Sequence, residues 1–258
     1  VRAQDAAMEL QIETHLGWVC LTLNRPTARN ALNTALLESL AAILTRLATD
    51  DACRAVVITG AAGHFAAGAD LGEIEHKSGS EAAFDPRKQH WSAIHGFQKP
   101  LIAAVDGFAL GGGFELALMA DLIVVGDTAR LGLPETNLGL IPGAGGGQRL
   151  LSLVGRMRAA RMVLTGEVIN ADTAYAWGIA SHRSDGSALP VAVALAETLS
   201  QRAPLALAAA KRALIEGAEA PLAFTTERRL FETLMDSADK TEGIAAFREK
   251  RRAWFSGT

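Results

Sequence analysis

Three apolar runs bounded by glycine constrain the fold more than any other feature. CRAVVITG (53–60) and PLIAAVDG (100–107) have apolar residues at consecutive rather than alternate positions, and DLIVVGD (121–127) follows in the same style. Such runs suit strands buried on both faces, as in a parallel sheet whose crossovers cover it. Between them the period changes. NTALLESLAAILTRLATDD places Leu36, Leu40, Ile43, Leu44 and Leu47 at helical spacing, with Asn33 or Thr34 available as N-cap. Strands alternating with helices as far as about residue 180 predict an α/β architecture.

Other segments fill in around this frame. MELQIETHLGWVCLTLNRP reads as a hairpin turning at Leu16-Gly17, its second arm stopped by Pro26. Residues 72–82 read as a polar loop, followed by a helix near Phe84 to Phe97 and another in GGFELALMA. From about Leu189 the strands stop. PVAVALAETLSQRA, PLALAAAKRALIEGA, PLAFTTERRLFETLMDSA and KTEGIAAFREKRRAWF read as four helices, several opening on proline, which suits the first helical turn. The expected organisation is an α/β core over 1–188 and a helical region over 189–258. No repeat of 20 to 50 residues is visible in the letters, although three strand-then-helix units leave room for a structural one.

Composition excludes more than it assigns. A chain of 258 residues, 49% apolar and 21% charged, can bury a sizeable core. A formal charge of −3 gives no reason to expect nucleic acid or an anionic membrane as the main partner. Asp106, Glu115 and Asp121 interrupt the oiliest stretch, so no membrane span is expected. VRAQDAAMEL has no apolar signal-peptide core. Cys20 and Cys53 stand far apart without CxxC spacing, which points to a reducing compartment and to no zinc site. The expected location is the cytoplasm.

Several motifs fail on detail. GLIPGAGGGQRL has Gln148 where a dinucleotide fingerprint needs its last glycine, and there is no Gly-Lys pair for a P-loop. His90 and His95 are five apart, on different helix faces, and no metal spacing is present. Ser80 and Ser92 sit in no nucleophile elbow. The basic clusters at Arg156, Arg158 and Arg161 and at Lys250, Arg251 and Arg252 read as solvated helix faces, with phosphate contact as the alternative.

What remains is two small-residue turns, FAAGAD and ALGGGFE, and two glutamates, Glu115 and Glu135. Such turns let a ligand approach the backbone, and two of them can aim two N–H donors at one oxygen, the construction of an oxyanion hole. Each glutamate also has a plain explanation: Glu115 favours the helix dipole in a first turn, and Pro134-Glu135 is an ordinary helix opening. Placed together, one carboxyl would act as acid and the other as base. The letters leave both readings open.

The segments LNRPTARNAL, FAAGADL, KPLIAAVDGFALGGGFELALMADLIV, LGLPETNLGLIPGAGGGQRL and LTGEVINADTAYAWGI resemble the enoyl-CoA hydratase (crotonase) family in order and spacing, from about Leu10 to the tail EGIAAFREKRRAWF. The resemblance implies a crotonase-like spiral of β-β-α units with a C-terminal helical trimerisation region, assembled as a homotrimer or a dimer of trimers. It implies an acyl-CoA substrate, with coenzyme A entering as part of the substrate and no separate cofactor or metal. By position, Ala69 and Gly112 match the oxyanion-hole donors, and Glu115 and Glu135 the two catalytic glutamates. Gly143 matches a backbone position near the catalytic water, and Ala67, Asp70 and Leu71 the wall around the CoA moiety.

Two residues depart from the family's common pattern. Gly147 replaces a frequent threonine, and Phe114 replaces a frequent cysteine, with Phe114 expected to reshape the acyl pocket. Keeping both glutamates favours a hydratase over a double-bond isomerase, which commonly retains one. RNA binding, found in a relative, is disfavoured by the short arginine clusters and the negative charge. The overall likeness leans toward bacterial hydratases of fatty-acid or phenylacetate breakdown, with a dicarboxylic substrate such as 2,3-dehydroadipyl-CoA among the expectations.

Overall fold

A computed structural model of the chain describes residues 9–202, 204–218, 231–232, 234–251 and 253. The hairpin forms as read: β1 (Leu10–His15) pairs antiparallel with β2 (Trp18–Leu23). The two apolar runs become β3 (Ala55–Gly60) and β4 (Leu101–Val105), both almost wholly buried. With β5 (Phe108–Leu110), β6 (Leu122–Val125), β7 (Arg130–Gly132), β8 (Val168–Asn170) and β9 (His182–Arg183) they build two sheets. The larger sheet has the order β1-β2-β3-β4-β6-β9, parallel from β2 onward, and the smaller has the order β5-β7-β8. The chain leaves the large sheet after β4 for β5, and after β6 for β7, each time entering a helix next. An isolated parallel bridge between Ala66 and Ala109 gives the segment after β3 the same path. The structure is therefore α/β, built as a spiral of β-β-α units.

The helices follow their side-chain patterns. In α1 (Thr34–Ala48) the expected leucines are buried, and Asn33 is the N-cap, its side-chain oxygen accepting the Leu36 N–H at 2.8 Å. The stretch 72–82 differs from expectation. It holds two short helices, α2 (Leu71–Ile74) and α3 (Gly79–Ala83), and the helix expected from Phe84 is the shorter α4 (Arg87–His95). Ser78 and Glu81 form a reciprocal capping box that starts α3. A buried ion pair between Asp85 and Arg87, joined by Lys77, fastens α3 to α4. Beyond these come α5 (Gly112–Ala117), α6 (Gly146–Thr165) and α7 (Ala171–Ala176).

In the C-terminal region, α8 (Leu189–Ser200), α9 (Pro204–Ala218) and α10 (Ala238–Arg248) are described. The third expected helix falls largely outside the described residues, as does the end of the fourth. The main core lies between the large sheet, the small sheet and α1, while Ala192 and Ala196 of α8 pack on the sheet's other face. A third apolar cluster, with Ile74, Leu140, Met235 and Ile244, joins α2 to the C-terminal helices and touches Ala69 and Leu71. Among the described residues no helix is long and apolar enough to cross a membrane.

Candidate active site

Two turns meet at the top of the small sheet. The first runs from Phe65 to Leu71. Leu32 bridges Ala69 in parallel, donating to the Gly68 oxygen at 2.8 Å and accepting from Asp70 N at 3.1 Å. That pattern turns the Ala69 N–H to the side away from Leu32. The second turn joins β5 to α5. Gly111 there has φ +49°, ψ −127°, open to glycine alone. It delivers Gly112 as the first helical residue, whose N–H has no intrahelical acceptor. Among the described residues, no acceptor takes the N–H of Ala69 or of Gly112.

The strands hold these turns in register. Ala66 N donates to Phe108 O at 2.8 Å and Leu110 N to Ala66 O at 3.0 Å. A Cβ on Gly113 would run into the Ala66 carbonyl, so only glycine permits this approach. A Cβ on Gly112 would lie 3.5 Å from Ala69 N. The two free donors are therefore neighbours across a narrow gap.

Glu115, in the first turn of α5, is 4% exposed. Its Oε1 accepts the N–H of Ala144 at 2.7 Å and of Gly146 at 3.0 Å. Burial pushes its pKa up; the amides of Gly146, Ala144 and Gly143 and the charge of Arg149 offset this only in part, so the carboxyl stays above its ordinary value. Glu135 opens a 3-10 turn (Glu135–Leu138) directly after Pro134. Its Oε1 lies 3.2 Å from where a Cβ would stand on Gly111, and Gly111 O accepts the Glu115 N–H at 2.9 Å. Both carboxyl-bearing residues thus flank the Gly111-Gly112 turn. The chemistry on offer is a donor pair for one oxygen with two carboxyls beside it, one of them raised above its ordinary value by burial.

The sequence model of the enoyl-CoA hydratase/isomerase family matches residues 13–258. The chain belongs to this family. It is 47% identical over 252 residues to the 2,3-dehydroadipyl-CoA hydratase of Escherichia coli (strain K12), covering 96% of this chain and 99% of that protein. A probable enoyl-CoA hydratase of Rhizobium meliloti (strain 1021) is 41% identical, with 95% and 97% covered. Among solved structures, a carnitinyl-CoA hydratase from Mycobacterium avium superposes with a TM-score of 0.88 at 37% identity, over 98% of this chain and 100% of that one. Enzymes of the enoyl-CoA hydratase/isomerase family act on acyl-CoA substrates.

In this family member the residues singled out from the sequence fall at one place, with different surroundings. Gly143 faces Glu115 through its backbone, and the Phe231 ring covers its Cα. Ala67 is half-buried, its N–H donating to Arg29 O at 3.0 Å. Asp70 has structural partners: its carboxylate caps α2 through Gly72 N at 3.1 Å and pairs with Arg25 at 2.9 Å. Leu71 starts α2 and packs on the third apolar cluster. Phe114 is fully buried within the main core, so its replacement of the usual smaller residue is a matter of core packing.

Arg149 carries no motif in the sequence, and His95 figured there only as an unsuitable metal ligand. Arg149 is buried, its Nη1 donating to Ala144 O at 2.8 Å and its Nη2 to His95 Nδ1 at 3.1 Å. A signal was available: an arginine in the first turn of a helix opposes the dipole and needs another reason to be there. The basic cluster farther along α6 is otherwise engaged. Arg158 and Arg161 stack over Trp177, and Arg161 is paired with Glu167, at a recess of about 490 Å3 that none of the candidate residues lines. Among the described residues no group of three or more His, Cys, Asp or Glu side chains is placed to hold a metal.

Proposed function

We propose that the protein is an enoyl-CoA hydratase, adding water across the 2,3 double bond of a trans-2-enoyl-CoA to give a 3-hydroxyacyl-CoA. The observation that carries this reading is the pair of unclaimed N–H groups, Ala69 and Gly112, with Glu115 and Glu135 on either side of the turn that supplies one of them. The thioester oxygen accepts from both N–H groups. As the water oxygen bonds to C3, the π electrons move toward the carbonyl and negative charge grows on that oxygen. Each such donor lowers the barrier by about 3 kcal/mol. Glu115 and Glu135 hold the water between them; one takes its proton and a proton is delivered to C2, so the net change is H and OH added across the double bond. Acid–base groups of this kind contribute roughly 10²- to 10⁴-fold each. The reaction is redox-neutral, and these residues supply its chemistry without a further cofactor.

Among acyl groups we favour a range that includes 2,3-dehydroadipyl-CoA, supported by the 47% identity to the Escherichia coli hydratase named for it. We also propose a homotrimer or a dimer of trimers built through the helical region 189–258 and α6. Leu151, Leu153, Met157 and Leu164 of α6 and Leu205 and Leu214 of α9 are exposed, more apolar surface than two helices of a monomer ordinarily show. The buried free thiols Cys20 and Cys53 support a reducing compartment, the cytoplasm.

The test is the loss of enoyl-thioester absorbance with crotonyl-CoA and 2,3-dehydroadipyl-CoA, for the wild type, Glu115→Gln and Glu135→Gln. Rapid loss in the wild type and a drop of about 10²-fold or more in both variants is expected. Substantial activity in Glu115→Gln alone, together with turnover of 3-enoyl thioesters, would replace the hydratase by a double-bond isomerase.

A further inference from the structure

We propose that Arg149 is a positioning residue: by holding the Ala144 carbonyl and bracing on His95, it fixes the amide cradle that grips the Glu115 carboxylate. The inference deepens the proposed function and rests on Glu115 acting at that site.

The cradle is made of a segment with little rigidity of its own. Residues 143–147 read Gly-Ala-Gly-Gly-Gly, and glycine loses more backbone freedom on ordering than any other residue. Yet Glu115 depends on this segment, since the N–H groups of Ala144 and Gly146 both point at its Oε1. The Arg149 Nη1 bond to Ala144 O pins the residue whose own N–H makes the shorter of those two contacts, 2.7 Å. A glycine run is pinned from the next helical turn.

His95, at the end of α4, completes the brace. A guanidinium only donates, so His95 Nδ1 accepts from Arg149 Nη2 at 3.1 Å. The arginine fork thus joins the glycine-rich segment before α6 to the end of α4, and cannot swing without losing one of them. Lysine offers the charge without the fork.

The same placement sets the charge balance around Glu115. Among the described residues, the charged and titratable groups on this side of Glu115 include Arg149 from α6, His95 from α4 behind that arginine, and Glu135 across the Gly111 turn. Burial favours the neutral carboxyl, while Arg149 favours the anion. Arg149 therefore does two things for one group, aiming the amides and lowering the pH at which the carboxyl ionises.

The experiment compares Arg149→Met, Arg149→Lys and His95→Ala with the wild type. It uses steady-state hydration of crotonyl-CoA across pH, plus a 13C NMR titration of glutamate-labelled protein in which Glu115 is assigned by its absence in Glu115→Gln. For Arg149→Met the expected result is a kcat lower by about 10- to 100-fold with KM within about threefold, the cost of a misplaced group. Its Glu115 titration is expected to move up by about one unit or more. Arg149→Lys should keep the titration near the wild-type position and recover part of kcat. Should Arg149→Met fail to fold, His95→Ala decides: a several-fold lower kcat with the Glu115 titration unmoved is expected, and an unchanged kcat overturns the proposal. A loss of thermal stability in Arg149→Met with kcat and the titration unchanged also overturns it. Absence of any wild-type turnover would sink the hydratase reading alone, because the NMR titration still reports whether Arg149 governs Glu115.

Discussion

Gly243 of α10 lies so close to Leu138 that a Cβ placed on it would come within 2.5 Å of the Leu138 Cα and carbonyl carbon. Leu138 closes the 3-10 turn that Glu135 opens. The C-terminal helix therefore rests directly on the backbone that aims one of the two carboxyls, and Lys240 Nζ ties the same helix to the carbonyls of Glu75 and Lys77 at 3.1 and 3.2 Å.

From this contact, Gly243→Ala should push α10 off the turn. Overpacking of this kind costs about 1–3 kcal/mol. Thermal denaturation should show that loss, and kcat should fall by more than KM rises, because Glu135 moves while the Ala69–Gly112 gap does not. A kcat unchanged at equal enzyme concentration would show that α10 does not control Glu135.

Gly112→Pro removes one of the two unclaimed donors while keeping a residue that a first helical position accepts. Expected is a fall in kcat of about 10²- to 10³-fold. Circular dichroism and melting should stay near wild type; a full retention of kcat would take Gly112 out of the oxygen-binding role.

Glu115→Gln should separate activity from stability. The Glu115 carboxyl is raised by burial, which the cradle amides and Arg149 only partly offset. Well below the free glutamate value of 4.5, both folded and unfolded chains hold its proton. Above that value the unfolded chain releases the proton first, so this group destabilises the fold as pH rises until the folded carboxyl ionises too. Urea denaturation at several pH values should show Glu115→Gln gaining on the wild type as pH rises above about 4.5. A gap independent of pH would mean that Glu115 ionises as freely in the fold as outside it.

Asp85 has the opposite sign. Its side chain is shut off from solvent. Burial alone would raise its pKa, but the hydrogen bonds from Arg87 and Lys77 outweigh this and hold it well below the usual carboxylate range. Its contribution is present above the free value near 3.8 and is lost as pH falls through the lower folded value. Asp85→Asn should cost about 3 kcal/mol near neutral pH, the scale for breaking a buried pair from one side. The difference from wild type should shrink in acid. A loss under about 0.5 kcal/mol would mean the pair behaves as a surface contact.

The fold was readable where hydrophobic pattern decides it. The apolar runs before Gly60 and Gly107 could only be buried strands, and the leucines of α1 declared their helix. The stretch 72–82 was misread because its helices are too short to show a period, although Ser78 and Glu81 carried the spacing of a capping box. At the site, glycine marked the Gly111-Gly112 turn in the letters, because only glycine takes that backbone. Ala69 could not be found that way: its N–H is freed by where Leu32 bonds, a fact of register between distant segments. Arg149 and His95 stand 54 positions apart and meet only in the folded chain. Asp70, placed by resemblance in a ligand wall, has a carboxylate that pairs with Arg25 and caps the start of α2.

The bridge between Ala66 and Ala109 has a consequence for redesign. Two adjacent strands of a sheet stand about 4.8 Å apart whatever side chains they carry. Because the two turns continue from strands registered by that bridge, the gap between Ala69 and Gly112 is dictated by backbone pairing, whereas the carboxyls arrive from α5 and from the turn under α10. An engineer could therefore replace the residues at 115 and 135 and leave the spacing of the two N–H groups as it stands. The socket belongs to the sheet, and the tools fitted beside it can be exchanged.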